Sequence, residues 1–182
     1  PLETAMTTSI PTTALQLRSL VKPSGELELS LHSIPVPTPA PDEVLIQVQA
    51  TPLDPSDIGL LFGAADVATG KASDTAASPQ VTLQIAQAAM KSMAGRMGQS
   101  MPVGNEGAGL VVAAGASPAA QALLGKTVSV LGGAMYSQYR NVKADQCLVL
   151  PAGTTAAEGA SCYVNPLTAL GFIETLRHEG HK

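Results

Sequence analysis

Residues Glu43–Gly63 read EVLIQVQATPLDPSDIGLLFG. The first half alternates as a strand does, with Val44, Ile46 and Val48 on one face and Leu45, Gln47 and Gln49 on the other. Asp54-Pro55-Ser56-Asp57 then opens a short helical turn over Ser56–Phe62. Ser56 or Asp57 can cap that turn, and Gly63 suits its C-terminal end. A strong strand that runs into a tight turn and a single short helix points to a mainly β fold with short helices.

The flanking sequence extends this pattern. On the N-terminal side, Ala14–Val21 (ALQLRSLV) and Leu27–Ile34 (LELSLHSI) both alternate, and KPSGE between them carries Pro23 and Gly25, so the pair reads as a hairpin. The run PVPTPAPDE is a polyproline-like connector, because proline cannot donate a ladder hydrogen bond. On the C-terminal side, the small, polar stretch Ala64–Ser78 is expected to be a loop. Pro79–Met97 spaces Val81, Ile85, Ala88, Ala89 and Met93 as a helix would, with Gly95 and Gly98 ending it. Gly107–Gly115 (GAGLVVAAG) reads as a buried strand approached by glycines. Ser117 can cap a helix to Leu124. Strands follow at Lys126–Leu131, Tyr136–Val142 and Gln146–Leu150. Thr155 caps a short helix, Ala156–Cys162. A longer helix, Pro166–His178, has Leu167, Leu170, Ile173, Thr175 and Leu176 on its apolar side. About seven short strands, with little helix before the end, predict a β-barrel.

Composition narrows the function. A length of 182 residues suits one domain, or one domain and part of another. Glycine (17) and proline (14) are abundant, as many turns require. Charged residues make up 13%, half of the usual ~25%, and the mean hydropathy is +0.21. That is too apolar for disorder and sparse in charge for a lone domain, so part of the surface is expected to be covered. A pI near 5.2 without a Lys/Arg cluster argues against nucleic acid. Val103–Ala116 is too short and glycine-rich to span a membrane. No signal peptide is visible, and Pro1–Ala5, before Met6, read as a cloning remnant. Cys147 and Cys162 match no zinc spacing, and unpaired thiols fit a cytoplasmic protein. His32, His178 and His181 are scattered.

Four segments carry a family resemblance by their order and spacing. They are PDEVLIQVQATPLDPSDIGLLFG (41–63), PVGNEGAGLVVAAG (102–115), GAMYSQYRNVKADQCLVLP (133–151) and NPLTALGFIETL (165–176). Together they resemble the N-terminal part of the medium-chain dehydrogenases/reductases, in the zinc-independent quinone oxidoreductase and enoyl reductase branch. The resemblance implies a GroES-like β-barrel catalytic domain over 14–164. It also implies that 165–182 is the start of a truncated Rossmann domain that would bind NADP(H). A complete nucleotide-binding domain needs roughly 130 further residues, so the chain is expected to be a fragment of a longer oxidoreductase. The expected partner is a small-molecule substrate, with the full-length protein a homo-oligomer.

The same resemblance frames the site. Zinc-type members use a Cys after the third strand and a His-Glu pair. Here those places read Leu53-Asp54-Pro55 and Gly104-Asn105-Glu106, so no metal is expected, because a catalytic zinc needs three protein ligands. Hydride delivery to a quinone or an α,β-unsaturated carbonyl leaves charge on the acceptor oxygen, which calls for a donor and a proton source. The enoyl reductases carry a Tyr shortly after the Asp-Pro-Ser-Asp turn, where this chain has Gly63-Ala64-Ala65. Asp54 and Tyr136 are therefore the candidate catalytic residues; turn-making is the alternative for Asp54 and packing for Tyr136. Asn165 and Thr168 are the candidate cofactor-binding residues, with Asn165 also expected to cap the last helix. Asp57 reads as a cap of the turn, Glu106 and Asn105 as structural with the orienting of cleft groups as the alternative, Gly107 and Gly109 as packing glycines, and Tyr139 and Cys147 as core. The Met90–Met101 stretch reads as flexible filling. A non-enzymatic binding member of the fold is the alternative, and a zinc alcohol dehydrogenase is disfavoured.

Overall fold

The computed structural model describes residues 9–73 and 79–180. Pro1–Ala5, Asp74–Ser78 and His181 lie outside the described residues. The two alternating N-terminal segments form β1 (Thr13–Val21) and β2 (Glu26–Pro35), paired antiparallel from Thr13↔Pro35 to Val21↔Leu27. The Glu43–Gly63 stretch forms β3 (Glu43–Ala50) and α1 (Pro55–Leu61). Then come β4 (Ala65–Ala72), β5 (Gln80–Ile85), a 3₁₀ helix (Gln87–Arg96), β6 (Ser100–Pro102) and β7 (Glu106–Ala114). They are followed by α2 (Pro118–Gln121), β8 (Thr127–Leu131), β9 (Tyr139–Lys143) and β10 (Cys147–Val149). The chain continues into α3 (Ala156–Gly159) and α4 (Val164–His178).

These strands build two five-stranded sheets, ordered β4-β5-β2-β1-β6 and β10-β8-β7-β3-β9. Each sheet has its own apolar core. Val44, Ile46, Val111, Val128, Val130 and Met135 fill one. Val21, Leu27, Leu83, Ile85, Met90 and Met93 fill the other. A fully buried aliphatic side chain such as Ile46 contributes about 1.5–3 kcal/mol relative to exposure. Met90 and Met93 are fillers of the second core, as their flexible side chains allow. A third cluster of Ala108, Leu150, Ala156 and Ala160 seats α3 on β7.

The sheets meet where the chain enters β9. Leu17 donates its N–H to the Tyr136 carbonyl (2.8 Å), and Tyr136 donates its own N–H to the Val103 carbonyl (3.0 Å). Strand β9 begins only at Tyr139, so Tyr136 sits in a clamped loop rather than in the expected strand over Tyr136–Val142. The close approach of β7 to β3 depends on glycine, since a Cβ on Gly109 would collide with the Gln47 carbonyl.

Two further expectations are corrected. The Ala64–Ser78 loop contains β4, an edge strand that pairs with β5 through a register shift between Asp66 and Lys71. The helix expected over Pro79–Met97 is instead β5 followed by a 3₁₀ helix. Val81–Ile85 alternate around Leu83, and pairing with β2 overrides the helical spacing that continues into the alanines. Helix α4 has no buried residue; Leu167, Leu170, Phe172, Ile173 and Leu176 are 48–68% exposed. Leu53 and Ile58, beside the Asp54 turn, are exposed too. An uncovered apolar face therefore lies along α4 and beside the Asp54 turn, as the low charge of the sequence requires of some part of the surface.

Candidate active site

The turn between β3 and α1 is built around buried acids. Asp54 is 3% exposed, and Asp57 and Glu106 are fully buried. Asp57 accepts the Asp54 N–H on Oδ2 and the Asn105 N–H on Oδ1, both at 3.0 Å. It thereby caps α1 and binds the helix to the turn before β7. The Asn105 side chain donates to Ser56 Oγ at 2.9 Å. Both Asp57 and Asn105 thus take the structural roles that their positions imply.

Tyr136 closes one side of this turn. Its hydroxyl donates to the Pro52 carbonyl at 2.8 Å. Burial, and then the neighbouring negative charge of Asp57 and Asp54, raises the phenol above its ordinary value, so it remains a neutral donor. Gly104 makes room for it: φ there is +95°, and a Cβ would lie 2.6 Å from the Tyr136 nitrogen. A recess of about 260 Å³ runs past Tyr136 along Val48–Thr51.

Helix α4 closes the other side. Asn165 Nδ2 donates to Asp54 Oδ1 at 2.9 Å, and the Tyr163 N–H donates to Glu106 Oε2 at 2.8 Å. Burial, reinforced by the adjacent Asp54 carboxyl, raises the Glu106 carboxyl above the usual range against the pull of the Tyr163 and Val164 N–H groups. The other oxygens, Asp54 Oδ2 and Glu106 Oε1, are buried and receive no donor from the described residues.

Asp54, Tyr136 and Asn165 therefore come together, with Glu106 beside them. Thr168 stands apart, one turn along α4, exposed, with its hydroxyl donating to the Val164 carbonyl at 2.6 Å. Asn165 does not cap α4 as expected. Tyr163 occupies the N-cap position without a side-chain bond, and the Asn165 amide reaches across to Asp54 instead. Tyr139 is half-buried rather than core. Cys147 is also half-buried, packed against the first core; burial and then Asp145 push its thiol up to about 11. Sequence reasoning missed the pairing of Glu106 with Asp54. The only signal for it was an acid in each of the two turns that flank the site. Among the described residues, no group of three or more His, Cys, Asp or Glu is placed to hold a metal ion.

This architecture resembles that of solved quinone reductases and an enoyl reductase. An inferred NADPH:quinone reductase from Mesorhizobium loti superposes with a TM-score of 0.63 at 26% identity, over 95% of this chain and 46% of that one. The quinone oxidoreductase of Coxiella burnetii gives 0.60 at 18% identity, over 91% and 45%. CurK enoyl reductase gives 0.57 at 21% identity, over 86% and 41%. The chain thus spans less than half the length of each. No family model matches the sequence, and no curated protein matches it either.

Proposed function

We propose that this chain is the GroES-like catalytic part, 14–164, of a zinc-independent, NADPH-dependent oxidoreductase that transfers hydride to a quinone or an α,β-unsaturated carbonyl, with 165–182 opening its nucleotide-binding domain. The observation that carries this reading is that a neutral phenol, Tyr136, bonded to the Pro52 carbonyl, and a buried acid, Asp54, bonded to Asn165 at the start of α4, flank the same turn. NADPH would supply the hydride. Tyr136 would donate a hydrogen bond to the acceptor oxygen as charge develops there, giving up its bond to Pro52. Asp54 would hold Asn165, and with it the start of α4, against the barrel.

At the start of α4 the described residues suit the nicotinamide end of such a cofactor. The Thr168 hydroxyl is exposed and can turn toward a polar ring substituent. The phosphates find no cradle at α4, because its first N–H groups already face the Glu106 carboxylate. The full-length protein would act as a cytoplasmic homo-oligomer on a small-molecule substrate. Full-length protein assayed with NADPH against a panel of quinones and enones should oxidise NADPH with at least one acceptor. Failure with all of them would overturn the proposal.

A further inference from the structure

Asp54 and Glu106 divide their oxygens in the same way. One oxygen of each accepts a hydrogen bond from the start of α4: Asp54 Oδ1 from Asn165 and Glu106 Oε2 from the Tyr163 N–H. The remaining oxygen of each, Asp54 Oδ2 and Glu106 Oε1, is buried and takes no donor from the described residues. Among those residues, no Lys, Arg or His forms an ion pair with either acid. The titratable groups around the pair are Asp57 on α1, Tyr136 in the loop before β9 and Tyr163 ahead of α4, with Cys147 of β10 and Cys162 beyond Tyr163. None of these is a cation. Two ionised carboxylates in such a place would repel each other and leave two buried acceptors unpaired. One proton between them removes both costs.

We propose that Glu106 carries the proton of this pair and donates it from Oε1 toward Asp54 Oδ2, which makes Glu106 a positioning residue that fixes Asp54, Asn165 and the first turn of α4 at the candidate site. The catalytic meaning of this arrangement rests on the function proposed above; the shared proton does not.

The pH dependence has a definite sign. A carboxyl raised on folding stabilises the folded form while it is protonated, and that contribution is lost as pH rises through its folded value. The attachment of α4 should therefore loosen on the alkaline side of the usual carboxylate range, where ordinary carboxylate pairs hold. Because α4 has no buried residue, few other contacts mask this release.

Infrared spectra taken as a function of pH, together with hydrogen exchange at Tyr163–Thr168, test the proposal. A protonated-carboxyl band should persist well above the ordinary carboxylate range. As pH rises further, the band should vanish while the protection of these amides falls by up to about tenfold per pH unit. In Asp54→Asn and in Glu106→Gln, an amide N–H replaces the shared proton, so the band should be missing and the protection independent of pH. If Glu106→Gln fails to fold, Asp54→Asn alone decides. Absence of the band in the wild type, or its survival in Asp54→Asn, would overturn the inference. A protein inactive with every quinone but showing this titration would overturn the proposed function and leave the shared proton standing.

Discussion

The Asp57 carboxylate and the Asn105 N–H, 3.0 Å apart, join two turns that are distant in sequence and place α1 against the entry to β7. The same carboxylate holds the Asp54 N–H, so one fully buried side chain satisfies two backbone donors. Asp57→Ala removes both acceptors and leaves a void. It should cost about 2–4 kcal/mol of stability in urea unfolding. Asp57→Asn keeps the volume and one good acceptor, and should fall between the two. An Asp57→Ala protein within about 0.5 kcal/mol of wild type would contradict this account.

Gly104 should be intolerant of any side chain. Its φ of +95° disfavours L-residues, and a Cβ would lie 2.6 Å from the Tyr136 nitrogen and 2.7 Å from its ring. Gly104→Ala should lose about 2–4 kcal/mol and displace Tyr136. Gly132→Ala is the matched control. The nearest heavy atom there is 3.9 Å away and no positive φ is required, so its unfolding midpoint should stay close to wild type.

The parts of this molecule legible in its sequence are those whose local chemistry agrees with their tertiary setting. Alternation marks β1, β2 and β3 as strands, although burial does not follow it strictly (Leu15 and Leu31 are exposed, and Leu45 is buried between Val44 and Ile46), and the Thr155–Glu158 capping box marks α3. Strand β4 was illegible. Its sequence, ADVATGKA, lacks alternating apolar residues, and it is held at an edge by β5 and a bulge. The helical spacing over Val81–Met93 is real but subordinate to the bonds that β5 makes with β2. Within the site, Asp54 and Tyr136 stood out by motif position. Glu106 stood out by motif position too, but its pairing did not, because nothing in a linear sequence says that Glu106 turns toward Asp54. Asn165 looked like a cap for the same reason: its partner lies on another element.

Tyr136→Phe separates the phenol's structural and chemical roles. Losing the bond to the Pro52 carbonyl should cost on the order of 1 kcal/mol of stability. If the hydroxyl also stabilises the reacting oxygen, kcat/KM of the full-length protein should fall by roughly 10²-fold. Because the phenol is raised above its usual value of about 10, donation by the wild type should persist as pH rises through that value. An activity loss centred on the ordinary phenol range would argue against Tyr136 as the donor.

Cys147 should be a slow nucleophile despite its partial exposure. Burial and Asp145 hold its thiol near 11, so at mildly alkaline pH only about one molecule in a thousand carries the thiolate. Iodoacetamide labelling followed by mass spectrometry should show Cys147 modification climbing steeply only as pH approaches that value. Rapid labelling at neutral pH would mean that the site opens.

The apolar face of α4 makes the last prediction. Leu170 and Phe172 are 52% and 68% exposed, and the helix buries no side chain against the barrel. Replacing either with a polar residue removes little contact from this chain, so Leu170→Ser and Phe172→Ser should leave its unfolding midpoint nearly unchanged. They should instead weaken binding of hydrophobic dyes and self-association, because exposed apolar area drives both. In a full-length oxidoreductase that covers this helix, the same substitutions should cost about 2–5 kcal/mol, as large-to-small changes in packed cores do. The contrast between the two backgrounds is what matters. Equal, small effects in both would mean that α4 remains uncovered and that the low charge of the sequence has another cause. Equal, large effects would mean that α4 packs on the barrel.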